Sequence, residues 1–502
     1  MGSTAVTADQ IGKLKRAAID AWMKGQSVPV LGTFSISDGH YSLTGPGASV
    51  LVDRPGSDGS GGGTGTQSQT VSAGPFSSPH TTVSEADYTA QFDTIRARVD
   101  GLLEAWTELP TPSELEGYVE KCRTVSSRLS RTAWSDGGGV HRGAGTEIDS
   151  LLREIDADTE DFRGETARSF RKEILYKLPA VLENHLSLTL TRGGAMYGQQ
   201  KLWAGARSDI ENLVSSTTSV LNAIAHDGNG QAKRSLEVVD MMLEGIKLFT
   251  PGAVGKGIDL AKLGIKGATS SLPKEVTLDA TSYEDAIGQL ESALKTLNQH
   301  ISAEELTART AIKNHAEVTR DGETRGDYDL ENPDLPGHSI IGLDAEKLRG
   351  IADSTLPSLA MELNSIADLN LSCSSPIAVS RDGRIGLGAN GPGRDVADFD
   401  QYIHNLIEEA AGDALDGAVH LTNAINDFQE TEEEIIRRLN QHLHGIDGVT
   451  ADRLPKSPID SPYPNTAWHP PMAVDAQPSD PASPFFGLPL DELMGKDPSK
   501  KP

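Results

Sequence analysis

The chain has 502 residues, with 45 Lys and Arg against 72 Asp and Glu, which gives a formal net charge of -27 at pH 7. Because nucleic-acid binding depends on clustered cations that displace counterions from phosphates, this balance argues against nucleic acid as a partner. Aromatic residues make up 5% and apolar residues 37% of the chain, too few for several thick cores. We therefore expect a mainly α fold of elongated helical hairpins or bundles, with disordered ends.

Neither a secretory signal nor a membrane span is predicted. The apolar stretch near the N-terminus is short and contains Asp20. The longest apolar stretch, residues 249–272, is interrupted by charged residues, so no integral membrane segment is expected. Two cysteines, Cys122 and Cys373, are too few for a disulfide framework or a zinc cluster and do not indicate a redox compartment. We expect synthesis in the cytoplasm and, if the protein is secreted or displayed at the cell surface, a route without a cleaved signal.

The beginning of the chain is predicted to be poor in regular structure. Residues 8–24 have the spacing of a short amphipathic helix, and residues 28–43 are compatible with a small hairpin. The Gly- and Ser-rich run that follows predicts a flexible linker. Residues 1–83 are therefore predicted to be largely disordered. Order is expected to begin at Ser84, a helix N-cap with Asp87 three residues later.

Helical periodicity dominates residues 84–225. Proline at the first helical position and a capping box are predicted at Thr111-Pro112-Ser113-Glu114. Later in this unit Gly193-Gly194 is predicted to divide two helices. Before that break, an apolar seam is expected to pack inside the unit or against a partner helix: Leu178, Val181, Leu182, His185 and Leu188.

The remaining chain divides into four predicted segments. Residues 226–318 are expected to be helical, with a Gly-rich crossover at 251–267. An acidic linker at 319–338 leads to a second helical hairpin at 339–445. The Pro-rich composition of residues 446–502 predicts a disordered tail.

Sites for chemistry are poorly represented in the sequence. Gly252–Gly257 lacks the spacing and the Ser or Thr of a phosphate-binding loop. His442 and His444, two residues apart, point in different directions on a helix and form no metal site by themselves. An acidic run has Asn332 and His338 where a calcium loop needs Gly and Glu. We predict no catalytic, cofactor-binding or metal-binding residues, and a non-enzymatic protein.

One predicted helical hairpin, with an aromatic-x-Gly turn between its two helices, resembles a known family. Phe162-Arg163-Gly164 lies between two helical patterns and is followed by Ala167 and Phe170. This resembles the WXG-type helical hairpins of type VII (ESX) secretion, in which Trp-x-Gly forms the turn, with Ala three residues later and an aromatic three beyond. Glycine permits the tight reversal and the aromatic side chain closes the hairpin end. The literal Trp203-x-Gly205 is the rival turn, without the later aromatic.

A second resemblance lies in the last predicted helix. Phe428 is followed four residues later by Glu432, which is similar to the family's export signal, a Tyr followed four residues later by Asp or Glu. Residues four apart share one helix face, so a receptor can bind both together. The resemblance implies a helical protein of the type VII secretion class. Such a protein is either an exported substrate or a partner of small WXG-type proteins, and it contacts the secretion machinery.

Two alternatives stay open from the sequence. The helical region is the delivery module of a secreted toxin, or the chain is a cytoplasmic helical scaffold that is never exported. The type VII interpretation implies that the protein acts by protein–protein interaction through helices.

Overall fold

The computed structural model describes residues 5–28, 31–71, 80–135, 141–160, 165–227, 230–249, 272–320, 325–330 and 345–428. The predicted mainly α fold is confirmed, and the described residues also contain a five-stranded antiparallel sheet. The predicted Gly-rich crossover, most of the acidic linker and the Pro-rich tail lie outside the described residues. In the described part, no helix has a long enough apolar stretch to cross a membrane.

The N-terminal part folds as a helix on a sheet. Helix α1 spans Ala8–Gly25 and begins with a capping box in which Thr7 and Gln10 bond reciprocally. The strands that follow are β1 (Ser27–Val28), β2 (Gly32–Thr33), β3 (Ser35–Ile36), β4 (His40–Gly45), β5 (Ala48–Asp53), β6 (Thr64–Val71) and β7 (His80–Asp87). β1 pairs with β2, and β3 to β7 form an antiparallel meander in chain order.

The prediction that this region is largely disordered is therefore wrong for the described residues. A buried carboxylate joins α1 to the sheet, since Asp20 accepts hydrogen bonds from the Tyr41 hydroxyl at 2.6 Å and from Arg54 Nε at 2.9 Å. The predicted N-cap at Ser84 is also wrong. Ser84 lies in β7, and Asp87 instead accepts a hydrogen bond from the amide of Thr89, the first residue of the next helix.

A second set of elements surrounds one long central helix. In chain order they are α2 (Thr89–Leu103), α3 (Pro112–Leu129), β8 (Trp134–Ser135), β9 (His141–Arg142), α4 (Thr146–Asp158), α5 (Glu165–Phe170) and α6 (Leu178–Asp227). β8 pairs with β9, and a π-helical segment, Arg171–Lys177, joins α5 to α6. Pro112 is the first residue of α3 as predicted, but Thr111 makes no capping hydrogen bond through its side chain.

The remaining elements complete the bundle. They are β10 (Gly230–Ser235), α7 (Met241–Phe249), β11 (Glu275–Ala280), α8 (Tyr283–Arg320), α9 (Ala345–Gly350), α10 (Leu356–Leu371) and α11 (Gly393–Phe428). β10 pairs antiparallel with β11, and a second π-helical segment, Ile351–Thr355, joins α9 to α10. Helices α10 and α11 pack along each other. Buried apolar side chains from α1 through α11 form one continuous core.

Helix α6 is the central element of this core and packs against α1, α3, α7, α8 and α11. It is unbroken at Gly193-Gly194, so the predicted division there is wrong. These glycines instead let another helix approach, because a β-carbon at Gly194 would lie 2.7 Å from Ile246 Cα on α7. The predicted seam from Leu178 to Leu188 is buried within the protein's own core, which makes it unavailable to a partner helix.

Candidate functional site

The Phe162-x-Gly164 motif falls between two helices. Helix α4 ends shortly before the motif, and α5 begins directly after it. Phe162, Gly164 and the side chain of Ala167 lie outside the described residues. Phe170, the aromatic residue of the motif's second helix, is half-buried and packs against the core. The described helices therefore bracket the motif in the order helix, motif, helix.

An arginine joins the two helices across this motif. Arg171 Nε donates to Thr159 Oγ1 at 3.4 Å, and its Nη2 donates to the Thr159 carbonyl. Thr159 is itself fully buried, and its hydroxyl donates to the Ile155 carbonyl at 2.7 Å. Because a buried residue at the end of α4 bonds to the residue just after α5, the two helix ends are held together.

The rival turn at Trp203-x-Gly205 is wrong. Both residues lie within α6, a continuous helix, so the chain does not reverse there. Trp203 is fully buried, and its indole Nε1 donates to Gln199 Oε1 at 2.8 Å. A β-carbon at Gly205 would lie 3.2 Å from the Glu237 carbonyl carbon. The absence of a side chain at Gly205 therefore lets the backbone at Glu237 approach α6 closely.

The two export-signal candidates lie at the edge of the described chain. Phe428 is the last residue of α11, its side chain is outside the described residues, and so is Glu432. The export signal therefore stays a prediction. What the structure adds is that the helix leading to Phe428 packs along α10 and against α6.

Two π-helical segments precede prolines near the bracketed motif. Residues 171–177 lead into Leu178-Pro179, and residues 351–355 lead into Leu356-Pro357. In each, the amide of the leucine bonds five residues back, to the carbonyl of Glu173 or of Ile351. A proline inside a helix lacks an amide proton and clashes with the carbonyl four residues earlier, so a wider turn before it relieves the conflict.

Helix α11 brings the two segments together. A β-carbon at Gly417 would lie 3.4 Å from Ile174 Cδ1 and 4.0 Å from Leu356 Cδ1. Helix α4 is joined to the same place, because the Thr355 hydroxyl donates to Glu154 Oε1 at 2.9 Å. The helix before the Phe162 motif, the helix after it and the α10–α11 pair therefore meet at one end of the bundle.

Apolar side chains are exposed on the π-helical segment 171–177 and on α11. Tyr176 is 70% exposed, Leu415 42% and Val419 50%. Leu415 and Val419 are four residues apart and so share one face of α11. We call the exposed face of α11 that carries Leu415 and Val419 the π-turn surface. Anchors spaced in this way are typical of helices that dock on other helices.

Charged residues lie on the same two segments, 171–177 and α11. Glu173 is buried and pairs with Lys172 Nζ at 3.2 Å and with Lys177 Nζ at 3.7 Å. On α11, burial raises the pKa of Asp413 well above its usual range, and nearby carboxylates, among them Asp416, raise it further. The carboxyl of Asp413 therefore binds a proton more readily than an exposed aspartate does.

A buried ion pair lies away from this end. Arg381 Nη2 donates to both carboxylate oxygens of Glu305, at 2.7 and 2.6 Å, and both side chains are fully buried. The guanidinium lies over the Trp203 ring, 4.6 Å from its centre. Burial raises the pKa of Glu305 and lowers that of Arg381, so removal from water disfavours both charges. The loop between α10 and α11 is thereby held against α6 and α8.

A second buried ion pair joins α6 to α11. Arg192 Nη1 donates to Asp400 Oδ1 at 2.7 Å, and the two side chains are 0% and 2% exposed. Sequence reasoning missed both pairs. Arg192 follows Leu188 by four residues, so a charge at the next position of the apolar seam was an available signal. Arg381 lies in a loop, where no periodicity marks a buried position.

No group of three or more His, Cys, Asp or Glu side chains is placed to hold a metal ion within the part of the chain that the structure describes. The Arg192–Asp400 pair joins α6 to α11 and the Arg381–Glu305 pair joins a loop to α8, whereas the π-turn surface faces solvent.

No family model, curated protein or solved structure matches this chain.

Proposed function

We propose that this chain is a non-enzymatic helical protein of the type VII (ESX-like) secretion class, an exported substrate or a partner of small WXG-type proteins. The observation that carries the proposal is the position of the Phe162-x-Gly164 motif between α4 and α5, with the helix ends joined by Arg171 and Thr159. The family's motif occupies the same place between two helices. The mainly α fold is consistent with this class.

Docking of a small helical partner is assigned to the π-turn surface. The apolar seam of α6 is buried in the protein's own core, so it has no face left for a partner. Leu415 and Val419 are exposed on α11, the helix that approaches Ile174 in the segment after the motif. A partner helix that covers them would remove apolar area from water, worth about 25 cal/mol per Å².

The docking surface is tested by replacing its two α11 anchors. We expect Leu415→Ser with Val419→Ser to abolish co-purification of a co-expressed small WXG-type protein encoded beside this chain, with little change in Tm because both positions are exposed. Met361→Ser is the matched control, since Met361 is 66% exposed on α10 but lies outside the surface. Equal co-purification of the double variant and the control would reject the surface.

Export is tested in the native host. We expect the full chain in the culture medium or cell-wall fraction when the type VII secretion ATPase is intact, and in the cytoplasm when that ATPase is inactivated. Phe428→Ala with Glu432→Ala should leave expression unchanged and abolish export. The control is Glu408→Ala with Asn426→Ala, which changes two other exposed positions of α11.

The outcomes separate the alternatives. ATPase-independent retention in the cytoplasm would support the cytoplasmic scaffold, and normal export of the Phe428/Glu432 variant would reject the export-signal assignment. An enzymatic activity that damages a target cell, delivered with the exported chain, would support the toxin-delivery alternative.

A further inference from the structure

The structure brings the two cysteines of the chain together. They are 251 residues apart in sequence, yet Cys122 Sγ donates to the Cys373 carbonyl at 3.6 Å, and both residues are fully buried. The thiols are also close enough for each to change the pKa of the other. Cys122 belongs to α3, and Cys373 follows the end of α10. The pair therefore spans two parts of the fold that the sequence does not connect closely.

A buried arginine accompanies the two sulfurs. The guanidinium of Arg192 is fully buried, and its charge acts on both thiols. Asp400 and the Asn370 carbonyl accept from Nη1, at 2.7 and 3.5 Å. Nε and Nη2 of Arg192 have no hydrogen-bond partner within the described residues. Two unsatisfied donors on a buried cation are therefore available for an oxygen or an anionic sulfur at this place.

The two thiols are not equivalent. The neighbouring Cys122 side chain lowers the pKa of Cys373, and the charge of Arg192 lowers it further. Burial raises the pKa of Cys122. Since the thiolate is the nucleophile in cysteine oxidation, Cys373 is the better attacking group and Cys122 the resolving one.

We propose that Cys122 and Cys373 form an intramolecular disulfide when the folded protein meets hydrogen peroxide. Cys373 is the sulfur that attacks, and Arg192 is the group that binds the oxygen of the oxidised intermediate. This modification site does not rest on the proposed secretion function. The residues that precede the two thiols are close to the surface, since Lys121 is exposed and its Nζ donates to the Ser372 carbonyl at 3.2 Å.

The reaction is balanced in two steps. The Cys373 thiolate attacks one peroxide oxygen, the O–O bond breaks, and the departing hydroxide takes the proton that the thiol released, giving water and a sulfenic acid. Nε and Nη2 of Arg192 then donate to the sulfenic oxygen. The Cys122 sulfur attacks the Cys373 sulfur, the S–O bond breaks, and the leaving hydroxide takes the Cys122 proton as a second water. Two thiols are oxidised by two electrons, and one peroxide is reduced.

The test uses the full chain, reduced and then freed of reductant. After stoichiometric hydrogen peroxide, we expect loss of both free thiols, a mass decrease of two hydrogen atoms, and a linked peptide that contains Cys122 and Cys373 in a monomeric protein. The urea-unfolded chain should form the same link more slowly, because its thiols are separated by a long loop.

Single variants test the roles of the two thiols. With Cys122→Ser, dimedone should trap a sulfenic acid on Cys373, whereas with Cys373→Ser, Cys122 should stay unlabelled. Circular dichroism verifies folding, and the wild-type measurement stands if either variant unfolds. The proposal is overturned if the native chain keeps both thiols under peroxide that oxidises the unfolded chain, or if it links only between molecules. Labelling of Cys122 alone would overturn the assignment of Cys373 as the attacking thiol.

Discussion

Replacing Glu305 by Gln is expected to lower the free energy of unfolding by about 3–5 kcal/mol, because it leaves a buried guanidinium without its counter-charge. The side chains of Glu305 and Arg381 are fully buried, and the two carboxylate oxygens of Glu305 accept from Arg381 Nη2 at 2.7 and 2.6 Å. Glutamine is nearly the same size, so the loss reports the charge and not a cavity. Urea denaturation followed by circular dichroism measures the change.

The contacts of Arg381 explain why removing only the charge of Glu305 is expected to destabilise the protein. Its Nη1 donates to the Val379 carbonyl at 3.0 Å, and its face covers Trp203. These contacts hold the arginine in place without neutralising it. If Arg381→Met is added to Glu305→Gln, neither position carries a charge, and the double variant should lose less stability than the two single variants together.

An exposed pair of the same chemistry serves as the control. Glu104 accepts from Arg384 Nη2 at 3.0 Å, with the carboxylate 71% exposed. Glu104→Gln should therefore cost at most about 1 kcal/mol. If Glu305→Gln costs no more than this control, the buried pair does not hold the loop to α8. Strict additivity of Glu305→Gln and Arg381→Met would likewise contradict coupling between the two charges.

Helical periodicity predicted most of the helices correctly. In α8 and α11 the apolar residues recur at spacings of three and four, and the buried residues follow that spacing. In α1, by contrast, all residues from Ala17 to Ala21 are buried. The boundaries were less accurate, since α8 runs to Arg320 and α6 continues through two adjacent glycines. Glycine was interpreted as a break, but tertiary packing against α7 stabilises the helix there.

The N-terminal sheet was missed for a different reason. Strand β6 consists largely of Thr, Ser, Gln and Gly, and seven of the eight residues of β7 are exposed. A strand exposed on both faces has no alternation of apolar and polar residues, and its composition resembles that of a linker. Its pairing depends on the neighbouring strand, which single-sequence patterns do not reveal.

The polar contacts at the centre of the bundle were beyond sequence reasoning. Glu305 and Arg381 are 76 residues apart, and Arg192 and Asp400 are 208 apart. Each charge alone resembles a solvated residue, and the partner is known only once the helices are assembled. The same holds for Cys122 and Cys373, which the sequence presents as two separate thiols.

A buried histidine makes this bundle sensitive to acid. His315 on α8 lies fully within the interface with α6, where its Nδ1 is 2.8 Å from Thr191 Oγ1 and its Nε2 is 3.2 Å from Ser187 Oγ. Because the Thr191 hydroxyl donates to the Ser187 carbonyl, Thr191 accepts from Nδ1–H and Ser187 donates to Nε2. The neutral ring is therefore satisfied, and burial lowers its pKa from 6.5 to about 4.

The sign of the pH effect follows from that shift. The folded state holds the proton less tightly than the unfolded state, so the contribution of His315 is complete above pH 6.5 and is lost as the pH falls toward 4. Carboxylates act in the opposite direction. Burial raises the pKa of Glu304 to about 7 and of Asp209 to about 6. Because the folded state binds these protons more tightly than the unfolded state, these two groups increase the free energy of unfolding as the pH falls. The wild-type curve alone is therefore a sum of opposing contributions.

A difference curve isolates the histidine, because His315→Gln and the wild type share the same carboxylates. The variant should be less stable at pH 7.5, and its deficit should shrink by about 2–3 kcal/mol by pH 4.5, measured by urea denaturation at each pH. Thr191→Val is the matched control, since it removes the 2.8 Å hydrogen bond but keeps the imidazole. It should retain the wild-type dependence on pH. A constant deficit for His315→Gln across this range would show that His315 does not control the acid response.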